Sequence, residues 1–191
     1  WMEEHFKIKY ELPHLQLIYY EGCPLGMENY GLITLCKNQK NNFYWDSKVV
    51  MHEVIHQWFG DLVEIEWWNS IFLNEGFAQF IQYLILEDYF PEKNAIEFFN
   101  YDSGFPNFQY FTHNRKLVPS EFEINYETVF DFFVYAKGSF VLKMFYDIVG
   151  KESFFNACSL YLDTFKNKNA QVFDFVTCVN SALRKDFSNF F

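Results

Sequence analysis

The stretch DSKVVMHEVIHQWFGDLVEIEWWNSIFLNEGFA, residues 46–78, has the clearest periodicity in the chain. Asp46 or Ser47 can cap a helix whose apolar residues recur at intervals of about four until Gly60 ends it. Residues 63–67 then alternate between apolar and polar side chains, as a short strand does. A second, strongly apolar helix begins within the stretch. The periodicity therefore predicts a helix, a strand and a helix in succession.

The flanking sequence extends this unit in both directions. Upstream, short apolar and β-branched runs at residues 15–20 and 32–35 have the pattern of buried strands. Downstream, helices are expected at residues 73–89, 92–101, 131–149, 152–166 and 171–186. Residues 102–130 contain prolines and several asparagines and are interpreted mostly as loop. The sequence thus predicts an α+β fold, a small N-terminal β-sheet followed by a mainly helical half, in one domain over residues 1–191.

The composition narrows the class of protein. The 191 residues include 15 Lys plus Arg and 25 Asp plus Glu, for a net charge of −10, which disfavours a nucleic-acid partner. Half of the residues are hydrophobic, as in globular rather than disordered chains. No run of 18 apolar residues occurs, so the sequence predicts no membrane segment in this chain. The absence of an N-x-[ST] acceptor slightly favours the cytoplasm, and the compartment otherwise stays open.

Four cysteines are scattered along the chain without a C-x-x-C pair: Cys23, Cys36, Cys158 and Cys178. This spacing predicts neither a zinc ribbon nor a dense disulfide framework. One bridge is compatible with it, but free buried thiols are the preferred interpretation.

The chemistry-bearing motif is His52-Glu53-Val54-Ile55-His56, an H-E-x-x-H sequence in the middle of the first predicted helix. Residues four apart share one face of a helix, so the two imidazoles can converge on a single metal ion. Neutral imidazole is a good ligand for zinc. Glu53 is rotated by ~100° from His52, so it stands beside the metal and can reach a metal-bound water without being a ligand. This is the position of a general base.

A catalytic zinc also needs a third protein ligand and an open position for water. Glu75 is the candidate, because it lies 19 positions after His56, on a second helix that can return beside the first. A lone histidine on an apolar helix is more often a core residue, but chance would produce the whole pattern only roughly one time in a thousand. The other histidines, His5, His14 and His113, have no such partners and are interpreted as surface or loop residues.

Further motifs accompany the zinc spacing. The strings HQWFGDLVEIEWWN and LNEGFA surround it, GMEN occupies residues 26–29, and FD at residues 130–131 precedes YAKG at residues 135–138. Together with the H-E-x-x-H-x18-E spacing, these strings resemble the catalytic domain of the zinc aminopeptidases of the aminopeptidase N family. The resemblance covers about residues 1–187 and implies a thermolysin-like fold for the domain.

The resemblance also implies roles that spacing alone does not. In the family, the carboxylate equivalent to Glu28 binds the free α-ammonium of the substrate, so Gly26, Met27, Glu28 and Asn29 are expected to bind substrate. Tyr135 is expected to stabilise the charge that develops on the substrate carbonyl oxygen. The implied enzyme is a metalloaminopeptidase, a hydrolase that holds one zinc ion per chain and removes N-terminal residues from peptides with a free N-terminus.

Two features depart from the family pattern. Leu25-Gly26 precede Met-Glu-Asn where the family usually has Gly-Ala, which affects the expected width of the cleft. The family's N-terminal β-rich domain and C-terminal helical domain are absent from this chain, so we expect it to pack against flanking domains of a longer polypeptide. Two alternatives stay open: a metallo-endopeptidase with the same zinc site, and a non-catalytic peptide-binding relative of the fold.

Overall fold

The fold is seen in a computed structural model, which describes residues 1–21, 26–36, 43–95, 97, 99, 116–127 and 129–191. This part of the chain has the predicted α+β layout, with a three-stranded sheet near the N-terminus followed by helices around a shared apolar core. The prediction of the fold class is therefore confirmed.

The N-terminal part combines a short helix with the small sheet. Its elements are helix α1 (Met2–Phe6) and strands β1 (Gln16–Tyr20), β2 (Gly26–Met27) and β3 (Leu32–Cys36). Strand β3 lies in the middle, parallel to β1 and antiparallel to β2. Ile33 and Leu35 of β3 are buried in the core. The sheet thereby brings the loop that follows β2 close to the helical half.

Strand β1 forms as predicted, but its predicted burial is wrong. All five of its side chains are exposed, including Ile18 at 48% and Tyr19 at 57%. In the described part of the chain the sheet ends at β1, which pairs along one edge only, with β3. The apolar pattern of β1 therefore marks a surface rather than a core strand.

The predicted helix–strand–helix unit is present, but its first helix begins before Asp46 and Ser47, the expected caps, and ends four residues before Gly60. It consists of helix α2 (Phe43–His56), strand β4 (Val63–Ile65) and helix α3 (Phe72–Tyr89). Gly60 turns the chain from α2 into β4 with a φ of +137°, where a side chain would be strained, and its N–H donates to the Val63 carbonyl at 3.0 Å. After this turn α3 packs against α2. The two helices that carry the motif residues are therefore neighbours.

The C-terminal half supplies the rest of the core. Its elements are helices α4 (Phe132–Val149) and α5 (Lys151–Phe165), strand β5 (Lys168–Ala170) and helix α6 (Val172–Leu183). The three helices agree with the predicted ones to within three residues at each end. Strand β5 was not predicted and pairs in parallel with β4. Among the described residues, no helix has the length and apolar character needed to cross a membrane.

Two predicted segments are described only in part. At the helix expected near residues 92–101, Pro91–Lys93 form a 3₁₀ turn and residues 95, 97 and 99 are helical, whereas residues 96, 98, 100 and 101 lie outside the described residues. Of the loop expected over residues 102–130, residues 116–127 and 129–130 are described. That described portion contains one short 3₁₀ turn, Glu121–Glu123, and is otherwise irregular, in agreement with the loop prediction there.

Helix α3 is the centre of the helical half. It packs against α2 on one side and α4 on another, and nearly all of its residues from Phe72 to Leu86 are buried. Gly76 of α3 and Gly138 of α4 allow the two backbones to touch, because a Cβ placed on Gly76 would lie 3.0 Å from the Gly138 carbonyl carbon. This close approach fixes the position of α4 relative to α3.

Among the three described cysteines one differs from the preferred interpretation, and Cys23 lies outside the described residues. Cys158 and Cys178 are free and buried, as expected, whereas Cys36 is disulfide-bonded. Cys36 ends strand β3 and is only partly buried, so it is not enclosed by the apolar core as Cys158 is. Because disulfides persist mainly in oxidising compartments, this bond does not support the slight lean toward the cytoplasm.

Candidate active site

Helix α2 places two imidazoles on one face. His52 and His56 are four residues apart, and their ring centroids lie 4.8 Å from each other. The Nδ1–H of His56 donates to the backbone carbonyl of Phe59 at 3.0 Å, since a carbonyl can only accept. This hydrogen bond leaves Nε2 as the nitrogen that faces Glu75. Metal-binding histidines are commonly oriented by such a second hydrogen bond.

Helix α3 brings Glu75 to the two imidazoles. Its Oε2 atom lies 3.4 Å from Nε2 of His52 and 3.4 Å from Nε2 of His56. One donor atom from each of the three residues lies within 4.8 Å of the others. His56 and Glu75 are buried, with exposed fractions of 1% and 4%. Two imidazoles and a carboxylate that converge in this way could hold one metal ion, and the donor set suits zinc.

The charges around this cluster favour a cation. Burial alone would raise the pKa of Glu75, but the neighbouring imidazoles hold that pKa well below its usual range. Burial alone would lower the pKa of His56, yet Glu75, Glu28 and Glu53 raise it to about 10. Burial lowers the pKa of His52 despite the nearby carboxylates. Three carboxyl groups thus lie around two imidazoles, an arrangement in which a divalent cation could replace the proton of His56 as the partner of Glu75.

Glu53 lies on α2 between the two histidines and against the backbone of Gly26. Its exposed fraction is 5%, and a Cβ placed on Gly26 would meet its carboxylate, so a larger residue at that position would require the Glu53 side chain to shift. Burial raises the pKa of Glu53 to about 8, with a contribution from Glu28 and an opposing one from His56. A carboxylate with a raised pKa is a stronger base than an exposed one.

The loop after β2 holds Glu28 beside the cluster. Donor atoms of Glu28, Glu53 and His56 lie within 4.8 Å of one another. Gln57 fixes this arrangement, because its Nε2 donates to the Glu28 carbonyl at 2.7 Å and its Oε1 accepts from the Gly31 N–H at 2.9 Å. Gln57 was not identified from the sequence, where its one signal is a polar residue directly after the second histidine of the motif.

The residues of the GMEN segment differ in their position relative to the cavity beside the cluster. Gly26 and Glu28 line the cavity beside the cluster, whereas Met27 is 51% exposed and Asn29 is exposed. The Asn29 carbonyl accepts a hydrogen bond in the turn that leads into β3. Leu25, where the sequence departs from the family pattern, lies outside the described residues.

Helix α4 brings Tyr135 to the cluster. Its ring stacks on that of His52 with centroids 6.0 Å apart and an interplanar angle of 22°. Burial, together with the charge of Glu75 and a hydrogen bond to it, raises the pKa of Tyr135 well above its usual value. The hydroxyl therefore keeps its proton at neutral pH and can act as a hydrogen-bond donor.

These side chains line one cavity of about 620 Å³. From the cluster the cavity continues along α2 and α3 to Lys48, Gln79 and Gln82, and the half-exposed Phe130 and Phe132 contribute another part of its wall. A volume of ~300–1,000 Å³ is usual for small-ligand sites. The cavity is large enough for a short peptide segment.

The remaining histidines stay apart from the cluster where they are described. His5 lies in helix α1 rather than in a loop, half-buried and stacked on Trp1 with ring centroids 3.9 Å apart. His14 is exposed, in agreement with the prediction. His113 lies outside the described residues.

Comparison with known proteins identifies the family. The chain matches the peptidase family M1 domain over residues 1–191 and therefore belongs to peptidase family M1, a family of hydrolases that act on peptides. This confirms the resemblance to the aminopeptidase N family that the sequence motifs carry.

Aminopeptidases from several different organisms are similar to this chain. The chain is 34% identical to Aminopeptidase M1-A of Oryza sativa subsp. japonica over 90% of its length, and 34% identical to Endoplasmic reticulum aminopeptidase 2 of Homo sapiens over 98%. It is also 34% identical to Probable aminopeptidase 1 of Sulfurisphaera tokodaii over 97%. The aligned regions cover 21%, 21% and 25% of these relatives, so the chain spans about a fifth to a quarter of their length.

Proposed function

We propose that this chain is the catalytic part of a zinc-dependent aminopeptidase that removes N-terminal residues from peptides. His52, His56 and Glu75 are the proposed ligands of one zinc ion per chain. Their support is the convergence of two Nε2 atoms on one buried carboxylate oxygen, at 3.4 Å each. The related proteins, which are named aminopeptidases, support the reaction class.

The observation that favours an aminopeptidase over an endopeptidase is the position of Glu28. The ligand atoms of Glu28, Glu53 and His56 lie within 4.8 Å of one another. Gln57 ties the backbone of Glu28 to the end of helix α2. A substrate α-ammonium bound by Glu28 would form a charge-assisted hydrogen bond in a partly desolvated cleft. Because the α-amine of a peptide is two bonds from the first carbonyl carbon, this contact would bring the first peptide bond to the ligand cluster.

The proposed mechanism divides the proton transfers and the charge stabilisation among three side chains. Zinc held by His52, His56 and Glu75 would supply Lewis-acid chemistry that makes water a better nucleophile. Glu53, whose burial makes it a stronger base, takes the proton of the attacking water and passes it to the leaving amine. Tyr135 donates its hydroxyl proton in a hydrogen bond to the carbonyl oxygen as charge develops there. Glu28 holds the amine end of the substrate throughout.

We also propose that residues 1–191 form a thermolysin-like catalytic domain within a longer polypeptide, where flanking domains cover part of its surface. The share of the relatives that the chain spans supports this proposal. The exposed apolar strand β1 supports it as well, because contiguous apolar surface usually marks an interaction site.

The test compares alanyl amides that have a free amine with their N-acetylated forms. We expect cleavage of the free amines, poor cleavage of the acetylated forms, and a loss of ~10- to 100-fold in kcat/KM when Glu28→Gln removes the charge. Glu64→Gln, at an exposed position of β4, is the matched control and should retain full activity. Equal cleavage of both substrates would favour the endopeptidase, and zinc and peptide binding without cleavage would favour the non-catalytic relative.

A further inference from the structure

A buried lysine lies in the cavity that holds the ligand cluster. Lys48 is 9% exposed and precedes His52 by one helical turn on α2, an axial distance of ~6 Å. Its Nζ atom lies 5.2 Å from the ring centroid of Tyr83, on helix α3. Lysines are almost never so deeply buried unless their charge is matched by surrounding groups. The ring of Tyr83 is one such group, and the place of Lys48 on the cavity wall puts its side chain where a bound ligand can contact it as well.

Two buried glutamines accompany Lys48 on the wall of the cavity. Gln79 and Gln82 follow Glu75 by one and two turns of α3, with exposed fractions of 8% and 1%. The Nε2 of Gln82 donates to the Oε1 of Gln79 at 2.8 Å. Gln79 therefore accepts with its side-chain oxygen, and its own side-chain nitrogen is a second amide donor in this part of the cavity. Lys48, Gln79 and Gln82, here called the basic end of the cavity, therefore combine one cation with amide donors.

The basic end and Glu28 lie at opposite ends of the cavity along α2. Glu28 is held at the C-terminal end of α2 by Gln57, and Lys48 is nine residues earlier, an axial distance of ~13 Å. The contacts of His56 with Glu75 and of Lys48 with Tyr83 show that α2 and α3 run in opposite directions past the cavity. The ligand cluster lies between the two ends. The cavity is thus acidic at one end and basic at the other.

We propose that Lys48 is a specificity-determining residue that selects substrates with a carboxylate on the leaving side of the scissile bond. This inference rests on the proposed function, in which Glu28 binds the α-ammonium and the cluster holds the first peptide bond. The part of the peptide beyond that bond then extends toward the basic end. A carboxylate there would form a charge-assisted hydrogen bond with the Lys48 ammonium in a site largely removed from water.

Two kinds of substrate carry a carboxylate at this place. One is a peptide with an acidic second residue, whose side-chain carboxylate would reach Lys48. The other is a dipeptide, whose C-terminal carboxylate would reach Lys48. Matched substrate pairs separate the two sources. Ala-Glu-amide against Ala-Gln-amide tests the side chain at constant shape, and Ala-Ala against Ala-Ala-amide tests the C-terminus.

The test is the ratio of kcat/KM within each pair, since a ratio cancels changes in overall activity. We expect the wild type to prefer the carboxylate member of at least one pair by ~10- to 100-fold. Lys48→Met should bring that ratio to about one, and Lys48→Arg should keep most of it. Lys151→Met removes the same charge from an exposed position at the start of α5 and should leave the ratio unchanged. Lys48→Gln is a second neutral variant if the Met variant does not fold.

A binding experiment separates this inference from the proposed function. The Glu53→Gln variant is titrated calorimetrically with the same four ligands, with and without Lys48→Met, so no turnover is required. Carboxylate-selective binding that depends on Lys48 would support the inference even if no peptide were cleaved. A wild type that shows no preference in either pair, in cleavage and in binding, would overturn it. A preference that survives Lys48→Met would also overturn it and assign Lys48 to structural packing against Tyr83.

Discussion

The side-chain amide of Gln57 donates a hydrogen bond of 2.7 Å to the backbone carbonyl of Glu28. The same side chain accepts from the N–H of Gly31 at 2.9 Å and from the hydroxyl of Tyr10 at 3.3 Å. Gln57 directly follows His56, so one residue connects the end of the helix that carries the proposed metal ligands to the loop that carries the proposed amine-binding carboxylate. The distance between the two parts of the site depends on this buried side chain.

Replacing Gln57 should therefore disturb amine recognition before it disturbs metal binding. Gln57→Leu keeps the volume but leaves the Glu28 carbonyl and the Gly31 N–H without this partner. We expect the free energy of unfolding to fall by ~1–3 kcal/mol and KM for free-amine substrates to rise more than kcat falls. Denaturant titration and steady-state kinetics measure both. The exposed Gln16→Leu on β1 is the control, and identical behaviour of the two variants would remove Gln57 from the positioning of Glu28.

The ligand assignment predicts the metal content of three variants. The wild type should bind one zinc ion per chain, and His56→Ala or Glu75→Ala should lose it, because two ligands rarely retain zinc tightly. Elemental analysis after dialysis gives the stoichiometry. His14→Ala, at an exposed position, is the matched control and should retain the metal. Full occupancy at tight affinity in either ligand variant would show that the assignment is wrong.

Zinc should also stabilise the folded chain, because an ion that binds the folded state and not the unfolded state shifts the folding equilibrium toward the folded state. Removal of the metal with a chelator should lower Tm, and added zinc should restore it by mass action, with ~2.7 kcal/mol of stabilisation at a concentration of 100 times Kd. Thermal melts at several zinc concentrations measure this. In the Glu75→Ala variant the shift should be absent, and a zinc-dependent Tm that persists there would place the ion elsewhere.

Glu53 should be required for hydrolysis and dispensable for the metal. Glu53→Gln preserves the shape of the side chain but cannot accept a proton from water, so zinc content should stay and turnover should be lost. Zinc content and kcat, both measured on one preparation, distinguish a general base from a metal ligand. Wild-type turnover at full zinc occupancy would exclude Glu53 as the base.

Much of this site could be predicted from the sequence because its determinants are local. The spacing of His52 and His56 follows from helix geometry, and the apolar periodicity of α2 and α3 follows from their burial. The family resemblance was needed for Glu28 and Tyr135, whose local patterns resemble those of an ordinary turn carboxylate and a core aromatic. The structure brings all four side chains to one cavity.

The parts that could not be predicted depend on contacts between distant residues. Strand β5 has three residues and exists through its pairing with β4, about 100 positions earlier. Helix α1 has five residues and is held by the burial of Met2 and Phe6. The role of Gln57 depends on backbone groups of the loop after β2, which carry no sequence signal. The exposure of β1 was missed because an apolar run predicts a strand but not what covers it.

Tyr135 should act on the rate rather than on substrate affinity. Its hydroxyl is a protonated donor at neutral pH, and a donor that contacts the developing negative charge acts mainly in the transition state. Tyr135→Phe should lower kcat by ~10²–10³ with a smaller change in KM. The exposed Tyr89→Phe is the control and should behave as the wild type. A variant that raises KM at constant kcat would indicate a substrate-binding role instead.

Strand β1 should make the isolated chain bind apolar dyes and associate with itself. It exposes four neighbouring apolar side chains, Leu17, Ile18, Tyr19 and Tyr20, at 40%, 48%, 57% and 47%. In the described part of the chain β1 is an edge strand, and an exposed apolar edge strand is a template for pairing with another chain. Ile18→Lys should therefore reduce dye fluorescence and light scattering, because a charge on an edge strand opposes such pairing.

The comparison with Ile148→Lys makes this test specific for the strand. Ile148 is 58% exposed on helix α4, so its substitution adds the same charge and removes the same side chain without changing a strand edge. Both variants should unfold within ~0.5 kcal/mol of the wild type, since exposed substitutions rarely change stability further. If the two lysines reduced association equally, net charge and not β1 would be the cause. If the unmodified chain were monodisperse and bound no dye, β1 would need no covering domain, and the proposal that flanking domains cover this surface would be wrong.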